Sequence, residues 1–363
     1  MALAPADKPV PVPSGFLSGK RWWRLGAVLI AVQAALFILS SFFNTGRTLA
    51  DRPILVLVGL EVLAGLVWLA AVWPAGRLLR WTKRDLLCMV VVGVILRGVM
   101  LASTPILEDD FWRYLWDGAV VAHGPSPYAH APQEFVSAGE SLDARPAALQ
   151  SLVREGQPVL ARINHPSLRT LYPPLAQAAF ALAHWISPWS LVAWRMVLLL
   201  FDAGTLALLL LLLRQLKLPS LWAAIYWWNP LLIQQSVNAA HMDVLALPFV
   251  LGALLLTLRA RPVWGIALLS LAAGVKLWPL ILLPFLFRPI LSAPRRLACA
   301  VAIAAAILSL LTWPAACGVL GPGSGFAAYA ERWEMNDALF MATLYGIRAL
   351  DFHPLTGDPF HQR

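Results

Sequence analysis

Apolar runs long enough to cross a bilayer recur along this chain, and that restricts it to a bundle of membrane helices. The first three fall near residues 25–43, 54–73 and 86–102. Further apolar segments lie near 173–187, 190–213, 221–237, 243–258, 264–287, 297–317 and 338–350. Sixty per cent hydrophobic residues and a mean hydropathy of +0.70 stand well above the roughly 45–50% apolar content of soluble domains. The 17 tryptophans suit aromatic belts at the bilayer surfaces. The expected fold class is all-α: a polytopic helical membrane protein with a long external loop containing short helices. Cys88, Cys299 and Cys317 lie in or at the ends of apolar runs without metal-ligand spacing, and so read as buried small apolar residues.

Charge placement orients the chain. Residues 1–24, 77–84, 214–217, 259–261 and 288–296 hold 15 of the 28 Lys and Arg and a single acid, Asp7. Positive charge of this kind marks cytoplasmic loops, so the net charge of +9 calls for no nucleic-acid partner. Residues 1–24 form a cytoplasmic leader in which Lys20, Arg21 and Arg24 precede the run Leu25–Phe43, which reads as a retained anchor. The membrane domain extends over 25–350, with a hydrophilic external loop at 103–172 holding eight acids against five arginines, and 351–363 form a tail. A connection of that length is expected to carry function. Two segments resist simple alternation. A short re-entrant helix at 173–187, and a hairpin of short helices at 264–287 broken at Gly274–Pro279, would resolve both.

Polar residues at membrane depth are expensive and demand partners or a function. Glu108, Asp109 and Asp110 follow an apolar run and open the aromatic segment Phe111–Asp117; such a cluster suits either a solvated helix start or surface chemistry. Arg97 and Asp202 fall near the middle of their spans and either pair or serve a substrate path, while Glu61 lies within another span. Lys276 stands at a helix break between Gly274 and Pro279, which makes an anion site unless its ammonium snorkels to an interface. His241 and Asp243 sit in a turn, where capping is the alternative to a role in the site. Tyr128 and Tyr172 belong to proline-rich turn elements that position their neighbours.

Five motifs then occur in one order: Glu108-Asp109-Asp110; Gly124-x-Ser126-Pro127-Tyr128; Tyr172-Pro173-Pro174-Leu175; Trp228-Asn229-Pro230-Leu231 with Asp243; and Val275-Lys276-Leu277-Trp278-Pro279. This order, over roughly residues 85–345, resembles the catalytic subunit of GPI mannosyltransferase I and its bacterial relatives. These are GT-C glycosyltransferases, multispan enzymes that use a lipid-phosphate sugar donor. The resemblance implies a GT-C-like bundle that transfers a sugar, mannose by the family's example, with inversion from a polyprenyl-phosphate donor to a glycan or glycolipid hydroxyl. Its active site would face outside the cytoplasmic membrane of a bacterium. Asp110 is then the first choice for the base and Asp109 the second, with Glu108 at the motif's first acid. Lys276, then Arg113, would hold the donor phosphate, with Tyr128, Tyr172, His241 and Asp243 about the substrates. No metal ligand is assigned, although three adjacent acids admit a divalent cation.

The chain departs from that pattern in having two spans before the one leading to the acids, and in stopping at Arg363 where the family continues through more spans. A truncated, non-catalytic homologue is one alternative. A transporter or lipid flippase using Arg97, Asp202 and Lys276 as a path is another.

Overall fold

The computed structural model describes residues 19–43, 51–73, 82–137 and 147–319, with 324, 325, 328, 341–343, 345 and 346. The leader before Gly19, the tail at 351–363, most of the apolar segment 338–350 and the side chain of Cys317 lie outside the described residues. Among the described residues every regular element is helical, as expected.

Three long helices open the chain: α1 (Gly19–Ser40), α2 (Ile54–Val72) and α3 (Lys83–Leu101). α3 begins with a reciprocal cap, Thr82 Oγ1 accepting from Asp85 N at 3.3 Å while Asp85 Oδ2 accepts from Thr82 N at 2.8 Å. Trp22 ties α1 to α2 by donating its indole N–H to the Ala71 carbonyl at 3.0 Å. The other face of α2 exposes Leu55, Val56, Val62 and Leu66, an apolar surface suited to lipid.

The loop expected to be external folds into α4 (Phe111–Ala122), the short α5 (Glu134–Ser137) and α6 (Ala147–Leu160), followed by α7 (Pro174–Ile186). Tyr114 of α4 stacks on Phe180 of α7 at 4.8 Å and meets Tyr172 and Trp194 edge-on. α4 and α7 approach so closely at Gly118 that a Cβ there would collide with the Phe180 main chain. At 13 residues α7 is too short to cross a bilayer, in keeping with the expected short helix. Its Leu175 and Ala176 amides instead donate to the Gly274 carbonyl, at 2.8 and 3.2 Å.

α8 (Leu191–Gln215) is a long, uninterrupted span. The apolar segment 221–237 is broken into a 3-10 turn at Ser220–Ala223, then α9 (Ala224–Trp227), α10 (Pro230–Ile233) and a π-helical turn at Gln234–Asn238. Pro230 lacks an N–H and forces a new start, capped by Asn229, whose side chain accepts from Leu232 N at 3.1 Å. After Asn238 the path turns by 102° into a 3-10 turn at Met242–Ala246 and α11 (Leu247–Leu258). Next come α12 (Pro262–Ala272), a break carrying Lys276, a 3-10 turn at Trp278–Leu282, α13 (Leu283–Phe287) and finally α14 (Pro294–Val319). The hairpin of short helices expected at 264–287 is present.

Four described stretches are long and apolar enough to cross a membrane: Trp22–Phe43, Ile54–Val72, Leu191–Gln215 and Pro294–Pro314. The bent pair Pro230–Asn238 and Met242–Leu258 makes a fifth if counted as one span. α3 has comparable length but carries Lys83, Arg84, Asp85 and Arg97. The molecule is a multi-pass membrane protein.

Candidate active site

The site forms where two loops leave helix ends and converge. One runs from the end of α3 through Leu107 to the acids; the other runs from the π-helical turn through Ala240 to His241 and Asp243. Asn238, fully buried, latches them together. Its Nδ2 donates to Ser103 Oγ at 2.6 Å and the Thr104 carbonyl at 2.7 Å, and its Oδ1 accepts from Ile106 N at 2.8 Å. Leu107 (φ 61°), Ala240 (φ 59°) and His165 (φ 53°) adopt left-handed backbone without being glycine, a strain that persists only where the surroundings over-determine it.

The three adjacent acids separate by environment. Glu108 Oε2 lies 3.6 Å from His241 Nε2. Asp109 accepts a hydrogen bond from the Asn164 amide. Asp110 is half-buried at the start of α4; its main-chain carbonyl accepts from Arg113 and Tyr114 N, while its carboxylate has no hydrogen-bond partner among the described residues. Burial raises its carboxyl above the usual range; His241 draws it back, and the negative charges of Glu108 and Asp109 push it further up. His241 is lifted in turn: burial pulls its pKa down, but the adjacent Glu108 carboxylate, with Asp110 and Asp243, outweighs that.

Lys276 is not the free cation that its position at a helix break suggests. Its ammonium pairs with Asp243, two residues after His241, and both side chains remain about half exposed. The break itself is held in place by the α7 amides on Gly274. An apolar cavity of about 180 Å³ lies nearby, lined by Leu175, Leu182, Phe201, Leu245, Phe249 and Val275 among others. Leu245 and Val275 are close chain neighbours of Asp243 and Lys276, so the charged pair stands at the margin of the cavity.

Arg113, one turn after Asp110, faces into protein. Its Nε pairs with Asp117 at 2.8 Å and its Nη1 donates to the Leu168 carbonyl at 2.9 Å. Gln177 Nε2 extends this buried network to Asp117 Oδ2 at 3.1 Å and Thr170 Oγ1 at 3.0 Å. Tyr128 donates its hydroxyl to the Tyr172 carbonyl at 2.8 Å and so fixes that turn. Tyr172 is half-buried, and its phenol is raised by burial and by the nearby Asp110 charge. Glu108, Asp110, His241, Asp243 and Lys276 are thus brought to one locus, whereas Arg113 and Tyr128 act on its supports.

Arg97 and Asp202 pair with each other across α3 and α8. Arg97 also donates to the Trp227 carbonyl at 2.7 Å and stacks over the Trp227 ring, while Tyr226 donates to Asp202 Oδ1 at 2.6 Å. Cys88 is buried as expected, but Cys299 is exposed, because α14 turns that face outward. Among the described residues no group of three or more His, Cys, Asp or Glu is placed to hold a metal ion. Arg195 of α8 escaped the residue-by-residue reading: it donates to the Leu101, Ser103 and Asn238 carbonyls, partners that no side-chain motif marks.

Residues 23–291 match the profile described as alpha-(1->6)-mannopyranosyltransferase, N-terminal domain. Over 305 residues the chain is 27% identical to alpha-(1->6)-mannopyranosyltransferase A of Mycobacterium tuberculosis, a match covering 78% of this chain and 52% of that protein. The chain spans about half the length of that curated relative. No solved structure matches it.

Proposed function

Because this chain belongs to the alpha-(1->6)-mannopyranosyltransferase family, we propose that it transfers mannose from a polyprenyl-phosphate donor to a glycan or glycolipid hydroxyl, with inversion. The transfer takes place on the outer side of the cytoplasmic membrane. The observation that carries this reading is the grouping of an unbonded, half-buried carboxylate, Asp110, with a cation, Lys276, by way of His241 and Asp243, near an apolar cavity.

The parts suit the chemistry. The acceptor oxygen forms a bond to the anomeric carbon as the bond from that carbon to the phosphate oxygen breaks, and the acceptor proton passes to Asp110. A base is best when its pKa lies nearer the working pH than an ordinary carboxylate, as the burial of Asp110 favours. Glu108 and Asp109 are already engaged, which makes Asp110 the base among the three. The departing phosphate gains negative charge, and Lys276 meets it by exchanging Asp243 for the phosphate. Arg113 is buried against Asp117 and the Leu168 carbonyl, whereas the Lys276 ammonium is about half exposed, so Lys276 is the first choice for the phosphate and Arg113 the second.

The cavity of about 180 Å³ compares with the roughly 150 Å³ apolar cavity that admits a benzene molecule, and so has room for one branched five-carbon unit of a prenyl chain. The transport alternative loses support because two of the charges it would use, Arg97 and Asp202, are buried and closed on each other.

Membranes containing this chain, supplied with radiolabelled mannosyl polyprenyl phosphate, should build a labelled glycan or glycolipid, and membranes lacking it should not. Equal labelling from nucleotide-mannose, with polyprenyl-phosphate synthesis blocked, would overturn the donor assignment.

A further inference from the structure

Behind the acidic cluster two helix ends face each other, and one guanidinium closes both. α3 ends at Leu101 and the π-helical turn ends at Asn238, each leaving carbonyls without intrahelical partners at the negative end of its dipole. Arg195, in the second turn of α8, is only 2% exposed. Its Nη1 donates to the Leu101 and Ser103 carbonyls, each at 2.8 Å, and its Nη2 donates to the Asn238 carbonyl at 2.5 Å. No carboxylate stands among these partners. A buried guanidinium without a counter-ion is costly, and capping one helix end does not require it. What guanidinium alone supplies is a rigid planar fork that engages two separate segments at once.

The Asn238 side chain completes the bracket. It holds Ser103, Thr104 and Ile106 while accepting from Gln234 Nε2 at 2.9 Å, so both ends of its amide are in use. Just beyond the bracket on each side comes a residue forced into left-handed backbone, Leu107 and Ala240, and then Glu108 and His241, which meet.

We propose that Arg195 and Asn238 are positioning residues that set the register between the two halves of the site, Glu108–Asp110 on one loop and His241–Asp243 on the other. The proposal rests on the reading of Asp110 as the base. Neither residue touches substrate; each acts through main chain. Misplacement of a reacting group by about 1 Å can lower a rate by about 100-fold, so a modest slip between the loops is enough to be measured.

The test compares the full chain in membranes with Arg195→Lys, which keeps the charge and loses the fork, and Asn238→Asp, which keeps the acceptor for Ile106 and loses the donor to Ser103 and Thr104. In both, kcat should fall, by about 100-fold in Arg195→Lys, with little change in donor KM. A second readout needs no turnover. Glu108→Cys and His241→Cys, in a background without Cys88, Cys299 and Cys317, are joined by a short bifunctional methanethiosulfonate, and the yield should drop when Arg195→Lys or Asn238→Asp is added. Parental yields in both variants would overturn the bracket, as would falling yields with parental kcat. If Arg195→Lys does not accumulate, Asn238→Asp carries both readouts. If the parent chain transfers no sugar, the base reading fails, and the cross-linking yields alone decide the bracket.

Discussion

Asp110 is held at the fold's expense. Its folded pKa is raised, so its contribution to stability is fully present only below the ordinary carboxylate value of about 3.9 and is lost as pH rises through the raised value. At neutral pH the ionised side chain therefore works against folding. Asp110→Asn should lower transfer by about 10²–10⁴ while raising the thermal midpoint of the detergent-solubilised protein. The acid limb of the parental pH–rate profile should lie above the ordinary carboxylate range. A variant that loses stability together with activity would make Asp110 a structural residue. Lys276 gives a second test. Asp243→Asn releases the ammonium from its carboxylate, so the affinity of a prenyl phosphate should hold or tighten, whereas Lys276→Ala should weaken it and Lys276→Arg should fall between. Equal affinity in all four proteins, measured by competition with a labelled prenyl phosphate, would remove Lys276 from the phosphate site. The acids, Lys276 and His241 were legible in the sequence because charge beside long apolar runs is conspicuous. Arg195 was not, because its partners are carbonyls far away in the chain. The Asp243 partner of Lys276 was hidden for the same reason: 33 residues separate them.

Helix lengths and breaks follow local chemistry where proline or glycine marks them, as at Pro174, Pro230 and the Gly274–Pro279 interruption. The 102° turn after Asn238 was invisible from hydropathy, since apolar residues on both sides read as two ordinary spans. Side-chain hydrogen bonds from Asn238 and the left-handed Ala240 impose it. The close packing of α4 on α7 is equally an element-level fact. A methyl group at Gly118 would collide with the main chain of Phe180 rather than with a movable side-chain tip, so one helix must shift. Gly118→Ala should destabilise by about 1–3 kcal/mol, read as a lower midpoint of thermal unfolding in detergent. The shift should also disturb Asp117 and its network, so activity should fall beyond what the loss of folded protein explains. An unchanged midpoint would mean that the two helices are not held at this distance in the membrane.

Across the whole molecule, the basic loops and the acidic outer segment assign opposite sides to residues 103–172 and 288–296. With Cys88, Cys299 and Cys317 replaced, Ala129→Cys should react with an impermeant thiol reagent on intact cells and Ser292→Cys, exposed in the structure, should react only after lysis. The reverse pattern would put Asp110 in the cytoplasm and end the lipid-phosphate argument. The buried pair between Arg97 and Asp202 also has a consequence in time. The two residues are 105 positions apart, and a ribosome adding about 5–20 residues per second takes roughly 5–20 s to cover that distance. For that interval α3 exists with an arginine whose carboxylate has not been made, and release into lipid would leave that charge without its counter-ion. Release of α3 into lipid is therefore expected to be less favourable before α8 emerges than after it. The order of synthesis, and not only the finished contacts, is written into this pair.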